Sequence, residues 1–344
     1  MKNPAEKQFC YSTVLVEESI VETDKDEFQP QYSPDGNEVA YLEERTTINI
    51  KNLQTGKIRM VFDGSRQYSY ADGDQKFEWS PNGNWLLYSS ENNLFLSNIY
   101  LVDAKTFTPP IDLTQSGYND TKPKWGMNGE MFIWTSDKES MRKQAVWWGA
   151  QADIYAGFFN QKAYDIFKLS DEDYNVADKQ SLTYSFDEKS ADFKNVWDRK
   201  LKLTTDAKII TDLHLTKDGK SLFYLVSTPE QHELWVTNTR TKTSKMATNF
   251  PGSGNTGSLW KNKSDGTKIS TDKDDKNIYA FIKGSIYKVD AKTYKMSKIS
   301  YNASMTVDKA KERQYLFEHV WLQVAKKFYN TNLHNVDWKF YKSE

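Results

Sequence analysis

The sequence predicts an all-β chain, a β-propeller of four-stranded blades carrying a helical insertion and ending in a C-terminal α-helix. Three observations carry that prediction. A short turn motif recurs, an apolar strand follows each copy, and the first copies are spaced by about one blade, roughly 40 to 50 residues.

The motif reads aromatic or apolar residue, Ser or Thr, Pro or another residue, Asp or Asn, Gly. Its first copy is Tyr32-Ser33-Pro34-Asp35-Gly36, followed by the run Val39 to Leu42. The second is Trp79-Ser80-Pro81-Asn82-Gly83, followed by Trp85 to Tyr88. The third is Trp125-Gly126-Met127-Asn128-Gly129 with Met131 to Trp134, and the fourth Leu215-Thr216-Lys217-Asp218-Gly219 with Leu222 to Leu225. A degraded fifth, Asp272-Lys273-Asp274-Asp275, precedes Ile278 to Phe281. Counted from Pro34 through Pro81, Met127, Lys217 and Lys273, the steps are 47, 46, 90 and 56 residues. The 90-residue step holds either a strongly diverged blade or one blade plus an insertion.

The turn chemistry is local. Proline presets φ, Asp or Asn caps its own backbone, and glycine accepts positive φ. The apolar run that follows suits a strand buried on both faces between neighbouring blades. A second strand comes after it at Ile48 to Ile50, Ile99 to Val102, Leu234 to Val236 and Ile286 to Val289, and each leads into a polar turn. A β-sandwich is the ordinary alternative, but it has no reason to repeat one turn at near-constant spacing. About five blades are visible within residues 1–300, read as part of a larger propeller.

The stretch Asp137 to Lys194 departs from the repeat, which places a helical insertion near 138–196. Gln161 to Phe167 reads as helix, and Ser170 as the N-cap of a second one, with Asp171, Glu172 and Asp173 in its first turn. Trp147, Trp148, Phe158 and Phe159 form a dense aromatic patch. They are the candidate substrate-binding residues, because aromatic rings grip extended peptides with little loss of entropy. Anchoring of the insertion to its blade is the competing and favoured reading.

Residues 301–344 change class. Thr306 to Asn330 reads as one amphipathic helix, with Phe317, Trp321, Val324 and Phe328 on one face and Val320 widening it. Either this helix opens a second domain that is cut short, or it packs on the propeller.

Composition excludes several classes. The chain carries 46 basic and 47 acidic side chains in mixed order, so nucleic acid has no basic footprint to follow. Cys10 is the only cysteine, so no intrachain disulfide forms. No apolar run reaches ~18 residues, so no membrane span is expected. The N-terminus has no signal-type apolar core; the expected compartment is the cytoplasm, or the periplasm if a signal belongs to a missing N-terminus. No Gly-x-Ser-x-Gly elbow, His-x-x-x-His or Cys-x-x-Cys pair is present. No catalytic residue, metal site or cofactor is assigned: Asp272, Asp274 and Asp275 read as a solvated turn, and Ser190-x-Asp192 with Trp197 lacks the glycine of an Asp-box.

The Ser-Pro-Asp-Gly blades resemble those of TolB-type and tricorn-type propellers. More specific are Glu22 to Gly36, Tyr68 to Gln75, Leu113 to Tyr118 and Trp148 to Phe159. Together they resemble the second propeller of tricorn-like serine peptidases. The terminal Leu333-His334-Asn335-Val336-Asp337-Trp338 resembles the first core domain that follows that propeller in the family. The resemblance implies two propellers, a first core domain, a PDZ domain and a second core domain, with the nucleophilic serine in the second core and the catalytic histidine late in the first. On that alignment the chain starts inside a propeller and stops before both catalytic residues; His214, His232, His319 and His334 all precede the catalytic position. The function implied is a non-catalytic propeller portion that admits or channels peptides and docks on the catalytic core. The alternative is a TolB-like propeller acting as a protein-interaction scaffold. The implied partners are peptides or unfolded polypeptide, the remaining peptidase domains, and other copies of the chain in a homo-oligomer.

Overall fold

The computed structural model describes residues 18–64, 67, 75–91, 96–140, 151–177, 191–251, 266–302 and 306–343. Contacts divide the chain into two units, Met1–Ile299 and Ser300–Glu344.

The first unit contains five four-stranded sheets among the described residues, each an antiparallel meander in which chain order is sheet order. The first comprises β1 (Glu27–Tyr32), β2 (Glu38–Glu43), β3 (Thr47–Asn52) and β4 (Ile58–Phe62); the second β5 (Lys76–Trp79), β6 (Trp85–Glu91), β7 (Ser97–Asp103) and β8 (Ile111–Asp112). The third comprises β9 (Asp120–Gly126), β10 (Met131–Ser136), β11 (Asp153–Phe158) and β12 (Lys200–Lys202). The fourth runs β13 (Ile210–Leu215), β14 (Ser221–Ser227), β15 (His232–Asn238) and β16 (Ser244–Phe250), and the fifth β17 (Lys268–Thr271), β18 (Asn277–Ile282), β19 (Ser285–Asp290) and β20 (Met296–Ile299).

The repeated motif is the turn between the first and second strands of each sheet. In the first, Ser33 N–H donates to Glu38 O at 2.8 Å and Gly36 N–H to Ser33 O at 2.9 Å. Ser33 Oγ donates to Asp35 Oδ1 at 2.6 Å, and that carboxylate accepts from Asn37 N–H at 3.1 Å. Ser80 with Asn82 and Thr216 with Asp218 repeat the pattern, with side-chain bonds of 2.7 Å in both. Gly36, Gly83 and Gly219 sit at φ of 73°, 72° and 70°, where a Cβ is strained. The fifth turn puts Asp275 at that position with φ 54°.

Four apolar cores join the five sheets in a row. Ala40, Leu42 and Ile50 meet Trp79, Leu86 and Tyr88. Leu87, Ile99 and Leu101 meet Phe132, Trp134 and Tyr155. Met131, Ile133 and Ile154 meet Leu213, Leu222 and Tyr224. Phe223, Leu225 and Leu234 meet Ile278, Ala280 and Ile282. This is propeller packing, in which each blade buries its faces against its neighbours.

The 90-residue step is one blade with an insertion between its third and fourth strands. Residues 153–158, expected within the helical excursion, are instead β11, a central strand with all six residues buried. Among the described residues of the insertion the α-helices lie between β11 and β12: α1 (Gln161–Lys168), capped by Asn160, and α2 (Asp171–Val176), capped by Ser170. Ala163 and Phe167 of α1 join the core between the third and fourth sheets.

In the second unit, α3 (Lys309–Lys327) starts where Asp308 accepts from Ala310 N–H at 3.0 Å and Lys311 N–H at 3.3 Å, and it ends at Phe328, whose ψ of 132° leaves the helical range. It is shorter at both ends than the apolar stripe suggested. Trp321 stacks on Trp338 of α4 (Trp338–Ser343) at 4.0 Å. No residue of α3 is buried.

Candidate functional site

Consecutive first strands touch, β5 with β9, β9 with β13 and β13 with β17, as strands converging on an axis do. Side chains alternate along a strand. Phe77, Trp79, Leu213, Leu215 and Ile269 therefore point into the cores, while the residues between them face the axis. Two ranks result, set by distance from the turn motif. One holds Gln29, Lys76, Lys122, Asp212 and Lys268; the other holds Gln31, Glu78, Lys124, His214 and Ser270. All ten are half-buried or exposed. Pro30 and Pro123 occupy matching positions in β1 and β9, tolerated because a first strand is a sheet edge with N–H groups to spare. Gln29 and Lys122 precede them at φ of 51° and 55°, within bulges of the β1–β2 and β9–β10 ladders. Bulges of this kind re-aim a side chain.

Several of these groups tie one blade to the next. Gln31 Nε2 donates to Phe77 O at 3.0 Å. Trp79 Nε1 donates to Gln31 O, and Trp125 Nε1 to Glu78 O, both at 3.2 Å, so the motif's aromatic residue performs the same service in consecutive blades. Glu78 accepts from Trp125 N–H at 3.1 Å and lies 3.9 Å from Lys124 Nζ. Asp212 accepts from Ile269 N–H at 2.8 Å.

The electrostatics are lopsided. Lys76, Lys122, Lys124 and Lys268 stand against Glu78 and Asp212, so four ammoniums meet two carboxylates, a formal excess of two positive charges. Both carboxylates already accept backbone N–H groups. Desolvation by the surrounding protein lowers the pKa of Lys76, helped by repulsion from Lys268, Lys122 and Lys124. Desolvation also lowers Lys122. It opposes the charge of Lys124 too, but there the attraction of Glu78 and Asp212 wins and the pKa rises. Burial pushes the Glu78 carboxyl up, against the pull of Lys124 and the Trp125 N–H. The result is a positively charged, partly desolvated surface. It has the donors to hold anions and, among the described residues, no activated nucleophile.

His214, Asp275 and Thr271 cluster at the end of this face without forming a catalytic triad. Asp275 Oδ1 lies 2.9 Å and Thr271 Oγ1 3.3 Å from the same nitrogen, His214 Nε2. A triad needs its acid and its nucleophile on opposite ring nitrogens. Among the described residues no group of three or more His, Cys, Asp or Glu side chains converges as metal ligands. A groove of about 270 Å³ between the turns of the first two sheets is lined by Pro34, Asp35, Pro81, Asn82, Gly83 and Lys105. Its Asp35 is held down at about 2 by hydrogen bonds from Ser33 and Asn37.

Of the two readings of the aromatic patch, Phe158 and Phe159 follow the favoured one, anchoring, and not substrate binding. Phe158 and Phe159 are 0% exposed. Phe158 packs against Tyr164 and Phe167 of α1 at 5.6 and 5.1 Å, and Phe159 against Trp125, Phe132 and Phe193 at 5.5, 5.5 and 5.2 Å. They anchor the insertion and present no surface to a peptide. Trp147, Trp148 and Cys10 lie outside the described residues. The inner-strand charges are hard to see in the sequence because each strand contributes two at most, those of β5 and β9 lying 46 residues apart. Their signal was a fixed offset, one and three positions before each turn motif.

A family description, the tricorn protease C1 domain, matches residues 309–344. The fold resembles the crystal structure of the tricorn protease, with a TM-score of 0.62 at 13% identity, over 92% of this chain and 30% of that one. It also resembles TolB from Acinetobacter baumannii, with a TM-score of 0.50 at 15% identity over 83% of this chain and 57% of that one. An oligogalacturonate lyase in complex with manganese aligns with a TM-score of 0.52 at 11% identity, over 84% and 69% of the two chains. No curated protein matches. This chain thus spans less than a third of the tricorn protease it is compared with. The chain therefore carries a propeller of the fold seen in the tricorn protease and in TolB, and its residues 309–344 match the tricorn protease C1 domain.

Proposed function

We propose that this chain is the substrate-handling part of a tricorn-like serine peptidase, admitting peptides along its inner-strand face while a catalytic core elsewhere cleaves them. One observation carries the reading: residues 309–344, which follow the propeller in sequence, match the tricorn protease C1 domain. The inner-strand face supports it, being polar and partly desolvated. Docking on the remaining peptidase domains is assigned to the C-terminal unit.

The test is an immunoblot of the source cells with an antibody against the purified chain. A species far above the 40.0 kDa of this sequence, co-purifying with peptidase activity that a serine-directed inhibitor abolishes, is the expected result. A 40 kDa species with no associated peptidase overturns the reading. That outcome favours an interaction scaffold, for which the inter-blade ties of Gln31, Glu78 and Asp212 are the supporting observation, because they hold neighbouring blades to one another.

A further inference from the structure

We infer that the inner-strand face is selective for acidic peptide segments, which Lys76, Lys122 and Lys268 bind through their carboxylates. The inference deepens the peptide-handling reading and rests on it. The three lysines occupy one structural position, three residues before the turn motif in the second, third and fifth sheets. Among the described residues none of them forms a hydrogen bond or ion pair through its ammonium, whereas Lys124 has Glu78 at 3.9 Å. The only carboxylate in their rank, Asp212, accepts from Ile269 N–H at 2.8 Å and Leu213 N–H at 3.0 Å. Three cations with no hydrogen bond or ion pair among the described residues thus share a face that protein already desolvates. Among the described residues Asp212 attracts Lys76 and Lys122 but leaves an excess of positive charge, which an anionic ligand would offset.

The backbone adds weight at Lys122. Its left-handed φ of 55° is costly for a side chain with a Cβ, and the bulge that imposes it turns Lys122 into the same rank as Lys76. A face lined by one sign of charge within low-dielectric walls raises the local concentration of counter-charged ligand. Gln31 Oε1 and the Ser270 hydroxyl lie in the neighbouring rank and offer uncharged polar contacts for a peptide main chain.

The experiment measures fluorescence anisotropy of labelled hexaglutamate, hexalysine and a Gly-Ser hexapeptide with the full chain. Two triple variants are compared. One is Lys76→Gln/Lys122→Gln/Lys268→Gln on the inner face. The other is Lys57→Gln/Lys242→Gln/Lys292→Gln on the turns between third and fourth strands, with the same change in net charge. Hexaglutamate is expected to bind roughly tenfold or more tighter than the other two peptides, and the inner-face variant to lose that preference. The turn variant keeps it. Equal loss in both variants makes the effect one of net charge and overturns the inference. Equal binding of all three peptides overturns the inference and leaves the peptide-handling reading standing; binding of none overturns both. If the inner-face variant fails to fold by circular dichroism, salt decides with the unmodified chain. Hexaglutamate binding that does not weaken between about 0.05 and 0.5 M NaCl, where the screening length falls several-fold, overturns the inference.

Discussion

The third and fifth sheets are built from the same four-strand plan yet bury it differently. In β10 all six residues, Met131 to Ser136, are buried. In β18 burial alternates: Ile278, Ala280 and Ile282 are buried, while Asn277 and Tyr279 are half-buried and Phe281 is 38% exposed. The reason is the number of neighbours. The third sheet stands between two cores, with Phe132 and Trp134 turned towards the second sheet and Met131 and Ile133 towards the fourth. The fifth sheet shares a core with the fourth sheet only, among the described residues. Two-sided burial needs an unbroken apolar run, whereas one-sided burial needs every second residue. The strand sequences record this: MFIWTS in β10, against NIYAFI with its large aromatics on the open face in β18.

Truncating a ring in each sheet is the strongest way to break the comparison. Phe132 is 0% exposed and stacks on Trp134 at 4.8 Å and Phe159 at 5.5 Å. Phe132→Ala is expected to cost about 3–5 kcal/mol in chemical denaturation. Phe281→Ala is expected to cost no more than about 1 kcal/mol, since its ring leaves little cavity behind. Equal costs would mean that the outer face of the fifth sheet is covered as the third sheet's faces are. A smaller effect comes from adding atoms. A Cβ on Gly157 of β11 meets Phe132 Cε1 at 2.6 Å and Val196 Cγ1 at 2.9 Å. Gly157→Ala is therefore expected to destabilise by about 1–3 kcal/mol through overpacking. A neutral result by thermal melting would show that the core of the third sheet can give way.

The contrast also explains what could be read from the sequence. Five blades were legible because Ser33, Ser80 and Thr216 close the same hydrogen-bonded turn with Asp35, Asn82 and Asp218, and turn chemistry is local. The capping of α2 by Ser170 was legible for the same reason. β11 was not, because Asp-Ile-Tyr-Ala-Gly-Phe is buried on both faces and has neither the alternation of a half-exposed strand nor the period of a helix. For Phe158 and Phe159 the favoured anchoring reading matches their burial, although an aromatic pair looks the same in sequence whether it lines a rim or fills a core. The inner-strand lysines were hidden because a charge on a β-strand reads as solvated. Only the convergence of blades distant in sequence turns Lys76, Lys122 and Lys268 into neighbours.

The smallest predicted effect lies in the turn of the fifth sheet, where the glycine of the other turns is replaced by Asp275. Its carboxylate accepts from Lys217 N–H and Thr271 Oγ at 2.8 Å each and contacts His214 Nε2 at 2.9 Å, joining the fifth sheet to the turn of the fourth. Burial opposes its ionisation, but the Lys217 N–H, Thr271 and His214 outweigh burial and hold the pKa below the ordinary value. A lowered folded-state pKa makes the contribution fully present above the unfolded value of about 3.9, and it is lost as pH falls through the folded value. Asp275→Asn is expected to cost on the order of 1 kcal/mol at neutral pH, because an amide cannot replace all the accepting positions. The difference from the unmodified chain should shrink as the pH is lowered below 3.9. The neighbouring exposed pair of Lys276 and Asp274, 3.0 Å apart, provides the control: Lys276→Gln should leave the melt unchanged at every pH. If Asp275→Asn is equally silent, the contacts of Asp275 add nothing to what the apolar core and the Asp212–Ile269 tie already supply, and the aspartate in place of glycine is a tolerated strain.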